Sequence, residues 1–285
     1  MILDGKKLAA EVKERIRRQV KELGGDITLD VILVGNDSAS QVYVRNKSNA
    51  CEDVGIKCNQ ITLSEDVEEN YILDVIETLN KDLNVDGILV QLPLPKKFNT
   101  TKILNSILPE KDVDGLHPLN AGKLFLQQGG VVPCTAAGVI SLLESIPDYT
   151  LCGKNAVVLG RSNIVGKPVC QLLTNKDCTV TLTHSKTPKH ILMNMIDCSD
   201  IIVSAVGKPH IITLEDLHNY RCNISNKVII DVGINRDTNG RLCGDFSEEL
   251  KRASLHYTPV PGGVGPMTVA MLLQNVVTLH RLRLK

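Results

Sequence analysis

Tyr43 and Lys47 stand four residues apart, so on a helix an aromatic ring and an amine project from one face. A ring so placed can stack on a flat ligand while its hydroxyl seeks a polar partner, and an amine can accept a proton. Taken alone, the pair reads as a packing tyrosine and a solvated lysine rather than as a site. Gln91 closes the apolar run Gly87-Ile88-Leu89-Val90, and polar side chains at the C-terminal end of a parallel strand are where ligands are met. Pro93 and Pro95 stiffen the exit from that strand. Asp114, inside Lys111-Asp112-Val113-Asp114-Gly115, reads on its own as a turn aspartate bonded to nearby backbone. Pro259-Val-Pro-Gly-Gly-Val-Gly-Pro266 runs straight into an apolar helix and lets backbone approach a ligand closely.

A further segment, from Val157-Val158-Leu159 through Gly160-Arg161-Ser162-Asn163-Ile164-Val165-Gly166 to Lys167-Pro168, is a strand, a Gly-bounded turn and a helix start. Pro168 suits the first helical turn, where its missing N–H costs nothing. The spacing is not G-x-G-x-x-G, so the residues leave two readings open: a nucleotide loop, or a structural strand-to-helix turn. Charge bears on which nucleotide would fit. Enzymes that select NAD usually place an acid after the second strand, where it meets the ribose 2′-hydroxyl. Here Thr179–Thr183 runs into His184-Ser185-Lys186-Thr187, with no acid until Asp197. Arg161 and Ser185 would hold a 2′-phosphate by charge and hydrogen bonds, which points to NADP. The bland reading of Arg161 is a solvated loop charge.

These residues need elements to hold them. Leu8, Val12, Ile16, Val20 and Leu23 recur at helical steps, predicting a surface helix over 4–23. Leu29–Val34 reads as a buried strand ending at Gly35, and Ser38 can cap the helix that carries Tyr43 and Lys47. A strand near 57–62, a helix near 67–81 and the run 85–90 complete a β-α-β-α-β alternation. A second series follows, with strands at 156–159, 178–183, 201–205 and 227–232. Such alternation predicts parallel sheets covered by helices. The expected fold is α/β: two α/β domains with a cleft between them, the second a Rossmann-like, doubly wound nucleotide-binding domain. Residues 1–118 would form the first, completed by an apolar helix over 267–285, and 119–266 the second. Thr135 reads as a helix cap. No internal repeat is visible in the sequence.

Composition narrows the function classes. At 285 residues, with 43% hydrophobic and 22% charged residues, the chain has the make-up of a soluble globular protein of about two domains. Lysine plus arginine equals aspartate plus glutamate at 32 each, so no overall field recruits nucleic acid or an anionic membrane. No apolar run reaches membrane-spanning length. The nine cysteines include no C-x-x-C and read as reduced core filler, with no metal implied. The N-terminus shows no leader of the targeting kind, and a reducing cytoplasm is the expected compartment.

Tyr43-Val-Arg-Asn-Lys47, Val90-Gln91-Leu92-Pro93-Leu94-Pro95, Lys111-Asp112-Val113-Asp114-Gly115 and Pro259–Pro266, in this order, resemble the bifunctional methylenetetrahydrofolate dehydrogenase/methenyltetrahydrofolate cyclohydrolase family. The resemblance covers nearly the whole chain and includes that family's Gly-Arg-Ser-x-x-Val-Gly-x-Pro loop. It implies Lys47, Gln91, Tyr43 and Asp114 as catalytic residues. It implies folate contacts from Tyr43, Lys47, Val90, Gln91, Leu92, Asp114, Pro261, Gly262 and Gly263, and NADP contacts from Gly160, Arg161, Ser162, Ser185 and Ile234. The segment Pro133-Cys134-Thr135 also matches the family.

By the same resemblance, hydride leaves the methylene carbon of 5,10-methylenetetrahydrofolate for NADP⁺, and water then opens the methenyl cation to 10-formyltetrahydrofolate. Lys47 is the candidate base for the water, because a cationic substrate disfavours a protonated amine beside it. A homodimer is expected from the family, with no nucleic-acid or membrane partner. Two competing readings are a dehydrogenase without the hydrolytic step and a catalytically silent protein on the same fold. The stretch 217–227 is longer than usual for the family.

Overall fold

The computed structural model describes residues 1–284, Ala39 by its backbone alone; Lys285, the last residue of the expected 267–285 helix, lies outside the described residues. The chain divides into two compact units, residues 10–134 with 269–285 and residues 1–9 with 135–268. The break therefore falls after Cys134 rather than at the 118/119 boundary expected from the sequence. The cause is visible in Asn275, whose buried amide donates to the carbonyls of both Val113 and Val132 at 2.8 Å and ties that segment down. Residues 1–9 belong with the second unit because Ile2 bridges to Tyr257 and Lys6 N–H donates to Gly262 O.

In the first unit, α1 (Gly5–Glu22), which enters it at Ala10, buries Val12, Ile16 and Val20. Next come β1 (Thr28–Val34), α2 (Ser38–Val54), β2 (Lys57–Leu63), α3 (Glu69–Lys81) and β3 (Gly87–Val90). The three strands are parallel in the order β2-β1-β3, and Asp112 adds a parallel bridge beyond β3 at Ile88. Strands β1 and β3 are buried almost end to end, which is why they read as continuous apolar runs rather than alternating ones. The cap of α2 is Asp37, not Ser38: the Asp37 carboxylate accepts from Ser40 N at 2.8 Å, and Ser38 is already helical. Short helices α4 (Thr100–Asn105) and α5 (Pro118–Phe125) complete the unit. Ile32, Ile72, Ile76 and Ile103, all wholly buried, centre its core.

The second unit contains α6 (Cys134–Glu144), β4 (Asn155–Leu159), α7 (Gly166–Thr174), β5 (Thr179–Thr183), α8 (Lys189–Asp197), β6 (Ile201–Ser204), α9 (Leu214–Asn219) and β7 (Val228–Asp231). A two-residue hairpin pair follows, β8 (Asn235–Arg236) and β9 (Leu242–Cys243), then α10 (Glu248–Arg252), β10 (His256–Tyr257) and the start of α11 (Val264–Arg283), whose residues from Val269 on belong to the first unit. The main sheet is all parallel in the order β10-β7-β6-β4-β5. After β4 the chain goes one way to β5, then returns past β4 to β6 and continues outward. That reversal, between β4 and β6, is the position at which open α/β sheets bind ligands. The first unit reverses in the same way, between β1 and β3. Thr135 lies inside α6 rather than capping it, and its hydroxyl meets that of Thr268 at 3.3 Å.

The stretch left open in the sequence, 217–227, leaves α9 through Arg221 at φ +53° and buries Cys222 and Ile224. All nine cysteines are free. Core filler describes Cys51, Cys134, Cys178 and Cys222, but Cys152 and Cys198 are exposed, so that reading fails for those two. Among the described residues, no helix is long and apolar enough to cross a membrane.

Candidate active site

In the first unit, α2 presents Tyr43 and Lys47 one turn apart, with the tyrosine exposed and the lysine half-buried. Gln91, immediately after β3, is buried, with Val90 behind it and Leu92 after it half-buried. Its amide is held at both ends. Gln91 Nε2 donates to Leu92 O at 2.6 Å, and its Oε1 accepts from Lys47 Nζ at 2.9 Å. The amine is therefore aimed by a side chain whose own direction is set by backbone.

Asp112 and Asp114 divide the work of their loop. The turn reading, open for Asp114 in the sequence, belongs to Asp112. Its Oδ2 accepts from His117 N at 2.8 Å and from Asn120 Nδ2 at 2.9 Å. Burial raises the Asp114 carboxyl above its ordinary pKa, opposed by the charge of Lys47 and by a hydrogen bond from the Cys134 thiol. Lys47 and Asp114 are thus within electrostatic reach of each other. Tyr43, Lys47, Gln91 and Asp114 come from the C-terminal side of β1 and β3 and the segment beside them, the switch point of that sheet. Cys134 and Asn275 join the group, Asn275 Nδ2 lying 3.4 Å from the thiol sulfur. Cys134 is named in the sequence only as part of a helix start. Asn275 gave no signal there, because one polar residue in an apolar helix carries no sign of what it faces.

In the second unit, Gly160 stands at the end of β4, and its N–H donates to Thr183 O at the end of β5. Arg161 and Ser185, both exposed, accordingly lie on the loops of adjoining strand ends, with no carboxylate between Thr183 and Lys189. Ser162 Oγ accepts from Val165 N at 3.2 Å and Gly166 N at 3.3 Å, so its hydroxyl shapes the turn. Gly160 sits at φ +107°, and a Cβ there would stand 2.4 Å from Ala205 O; one at Gly166 would stand 2.0 Å from Gly160 O. Both glycines are demanded by the chain's own backbone. The loop is therefore a structural turn in its packing, and its arginine and serine remain open to a ligand.

Pro261, Gly262 and Gly263 precede α11 in this unit. Part of the need for glycine there is internal, since a Cβ on Gly263 would meet Pro259 O at 2.6 Å. Ile234, between β7 and β8, is 53% exposed, unusual for an isoleucine. Among the described residues, no group of three His, Cys, Asp or Glu side chains gathers in a way that could hold a metal.

Comparison with known proteins agrees over the whole chain. Residues 3–114 match the family model of the tetrahydrofolate dehydrogenase/cyclohydrolase catalytic domain, and 133–284 that of the same family's NAD(P)-binding domain. The Bifunctional protein FolD of Staphylococcus epidermidis is 47% identical over 287 residues, covering 99% of this chain and 97% of that protein. The solved bifunctional methylenetetrahydrofolate dehydrogenase/cyclohydrolase FolD of Campylobacter jejuni is 43% identical, with a TM-score of 0.92 and 99% of each chain covered. The dehydrogenase-cyclohydrolase of Trypanosoma brucei, solved with NADP cofactor and inhibitor, is 35% identical at a TM-score of 0.91, covering 100% of this chain and 98% of that one. With both halves matched and near-half identity sustained from end to end, the chain belongs to the tetrahydrofolate dehydrogenase/cyclohydrolase family.

Proposed function

We propose that this protein oxidises 5,10-methylenetetrahydrofolate with NADP⁺ and then hydrolyses the methenyl product to 10-formyltetrahydrofolate. The observation that carries the reading is the 2.9 Å bond from Lys47 Nζ to Gln91 Oε1 at the end of β3, with Asp114 in electrostatic reach. The first unit with the end of α11 is assigned the folate, and the second the dinucleotide.

Each side chain has a defined task. Tyr43 stacks on the folate ring system. Asp114 pairs with the donors of the pterin, a job suited to a carboxylate left free by the turn. Pro261, Gly262 and Gly263 bring backbone up to the ligands. In the first step these groups act by alignment, since hydride transfer needs the two carbons close and little acid–base help. NADP⁺ supplies the hydride acceptor. The residues present fit it: Arg161 and Ser185 lie on adjoining strand ends without a neighbouring carboxylate, Ser162 shapes the loop, and exposed Ile234 offers an apolar contact.

In the second step Lys47 takes the proton from the attacking water. Gln91 holds the amine in place, so little reorganisation is needed as the proton moves. The resemblance to the family supports a homodimer working in the cytoplasm.

The test is a pair of assays on the purified chain. NADPH absorbance should rise with methylenetetrahydrofolate and NADP⁺, and faster than with NAD⁺. Methenyltetrahydrofolate should decay faster than its uncatalysed rate. A protein active in the first assay and silent in the second would be a dehydrogenase alone; silence in both would leave only the fold in common.

A further inference from the structure

Asp245 follows β9 and is wholly buried, yet its carboxylate is surrounded by donors from a different part of the chain. Its Oδ2 accepts from Ser204 Oγ at 2.7 Å, Val206 N at 2.9 Å and Gly207 N at 3.3 Å. Its Oδ1 accepts from Lys208 N at 3.0 Å and Asn235 Nδ2 at 2.9 Å. Three consecutive amides thus turn inward onto one anion, as backbone does around a bound phosphate. Here the anion is the protein's own. Asp231, at the end of β7, fixes Asp245 in turn by accepting from Asp245 N at 2.9 Å and Phe246 N at 3.1 Å.

The loop held in this way is the one that leaves β6 at the switch point. Its first residue, Ala205, places its carbonyl where a side chain on Gly160 would stand, at 2.4 Å. Loop 205–208 is therefore in contact with the Gly160–Gly166 turn, and Asp245 decides where it lies. Without that carboxylate, the amides of Val206, Gly207 and Lys208 would lose a buried acceptor and turn towards solvent.

We propose that Asp245 is a positioning residue of the dinucleotide site, fixing the loop after β6 against the Gly160 turn so that the cofactor meets a preformed surface. This rests on the NADP reading given above. The carboxylate touches neither cofactor nor substrate; it acts through loop 205–208.

Asp245→Asn keeps the shape but turns one acceptor oxygen into a donor facing other donors. The NADP⁺ dissociation constant, measured by calorimetry, is expected to rise at least about 10-fold. The Michaelis constant for NADP⁺ should rise with it. Methenyltetrahydrofolate hydrolysis, which consumes no dinucleotide, should stay within about twofold, because Lys47 and Gln91 lie in the other unit. Equal loss of both activities would show a merely structural role and overturn the proposal, as would an unchanged NADP⁺ dissociation constant in a folded variant. If Asp245→Asn does not fold, Ser204→Ala decides. It removes only the 2.7 Å hydroxyl bond and should weaken NADP⁺ binding about threefold with hydrolysis intact; no change would overturn the proposal. A wild-type protein that fails to bind NADP⁺ refutes the underlying cofactor reading. Wild-type binding with indifferent variants refutes the role of Asp245 alone.

Discussion

Two carboxylates two residues apart, Asp112 and Asp114, show how a site is made from a loop. Asp112 spends Oδ2 on both His117 N and Asn120 Nδ2, whereas Asp114 accepts from the Cys134 thiol and feels the charge of Lys47. Asp114→Asn is expected to weaken folate binding by about 1.5–3 kcal/mol, the scale for losing a charged hydrogen-bond partner, while leaving NADP⁺ binding unchanged. An unaltered folate dissociation constant would return Asp114 to the turn. Lys47→Met keeps the packing of the stem and deletes the amine. Hydrolysis of methenyltetrahydrofolate should then fall at least ~100-fold, and oxidation of the methylene compound by less. Parallel loss of both, with folate binding intact, would make Lys47 a residue that orients substrate. At this scale the sequence was informative where spacing sets geometry: Tyr43 and Lys47 share a helix face whatever surrounds them. It was silent on which aspartate the turn would use, because that depends on Asn120 folding back from α5.

At the scale of elements, β1, β3, β4, β6 and β7 were legible because burial on both faces writes them as apolar runs, whereas β2 and β5, only partly buried, were read from the alternation with helices, and the two-residue β10 left no signal. Helix caps were less legible. Asp37 and Ser38 are both good capping residues, and only the path of the chain out of β1 selects the first. Two caps could not be foreseen at all, since they come from distant lysines. Lys111 Nζ donates to Leu79 O at 2.8 Å and Asp82 O at 2.6 Å, closing the C-terminal end of α3. Lys227 Nζ does the same for α8, with Asp197 O and Ser199 O each at 2.6 Å. Both lysines are buried, and burial depresses the pKa of Lys111. The helix-end carbonyls answer that cost with their partial negative charge. Lys111→Met and Lys227→Met should each lose about 1–3 kcal/mol in urea unfolding, since buried carbonyls are left without donors. A change below about 0.5 kcal/mol in either, the usual size of a surface effect, would mean that water replaces the ammonium there.

For the molecule as a whole, stability should depend on pH through one buried carboxyl above all. Burial pushes Asp231 up to about 6, against the pull of Lys251 at 3.6 Å and the hydrogen bonds it accepts. Because its folded pKa lies above the unfolded value of 3.8, the native state holds the extra proton between those values. Asp231 therefore favours folding below about pH 4, and that contribution is lost as pH rises to about 6. The loss is roughly 3 kcal/mol. Denaturation of wild type and Asp231→Asn across this window should give stability curves that diverge in slope; parallel curves would show that Asp231 is ionised throughout.

The sheet order shared by the two units carries a consequence for where chemistry resides in this chain. Asp86 and Asp200 each accept from the first strand of their sheet, at Thr28 N and Asn155 N, and Gln91 N and Ala205 N each donate to it four positions further on, at Ile32 O and Leu159 O. Counted from these anchors, Gln91 stands five positions after Asp86, and Ala205 five after Asp200. Asp112 pairs with Ile88 and Ile229 with Ile202, which sets Asp114 and Asp231 at one matching address two residues later. The chain is a scaffold used twice, although its sequence shows no repeat. At one address, one copy holds a carboxylate within electrostatic reach of Lys47, while the other turns its carboxylate to Lys251 and to the amides of Asp245 and Phe246. At the other, a glutamine that directs an amine in one copy is an alanine in the second, where the backbone carbonyl alone makes the contact with Gly160. The same frame thus carries a side chain that aims an amine in one copy and a carboxylate that fixes backbone in the other.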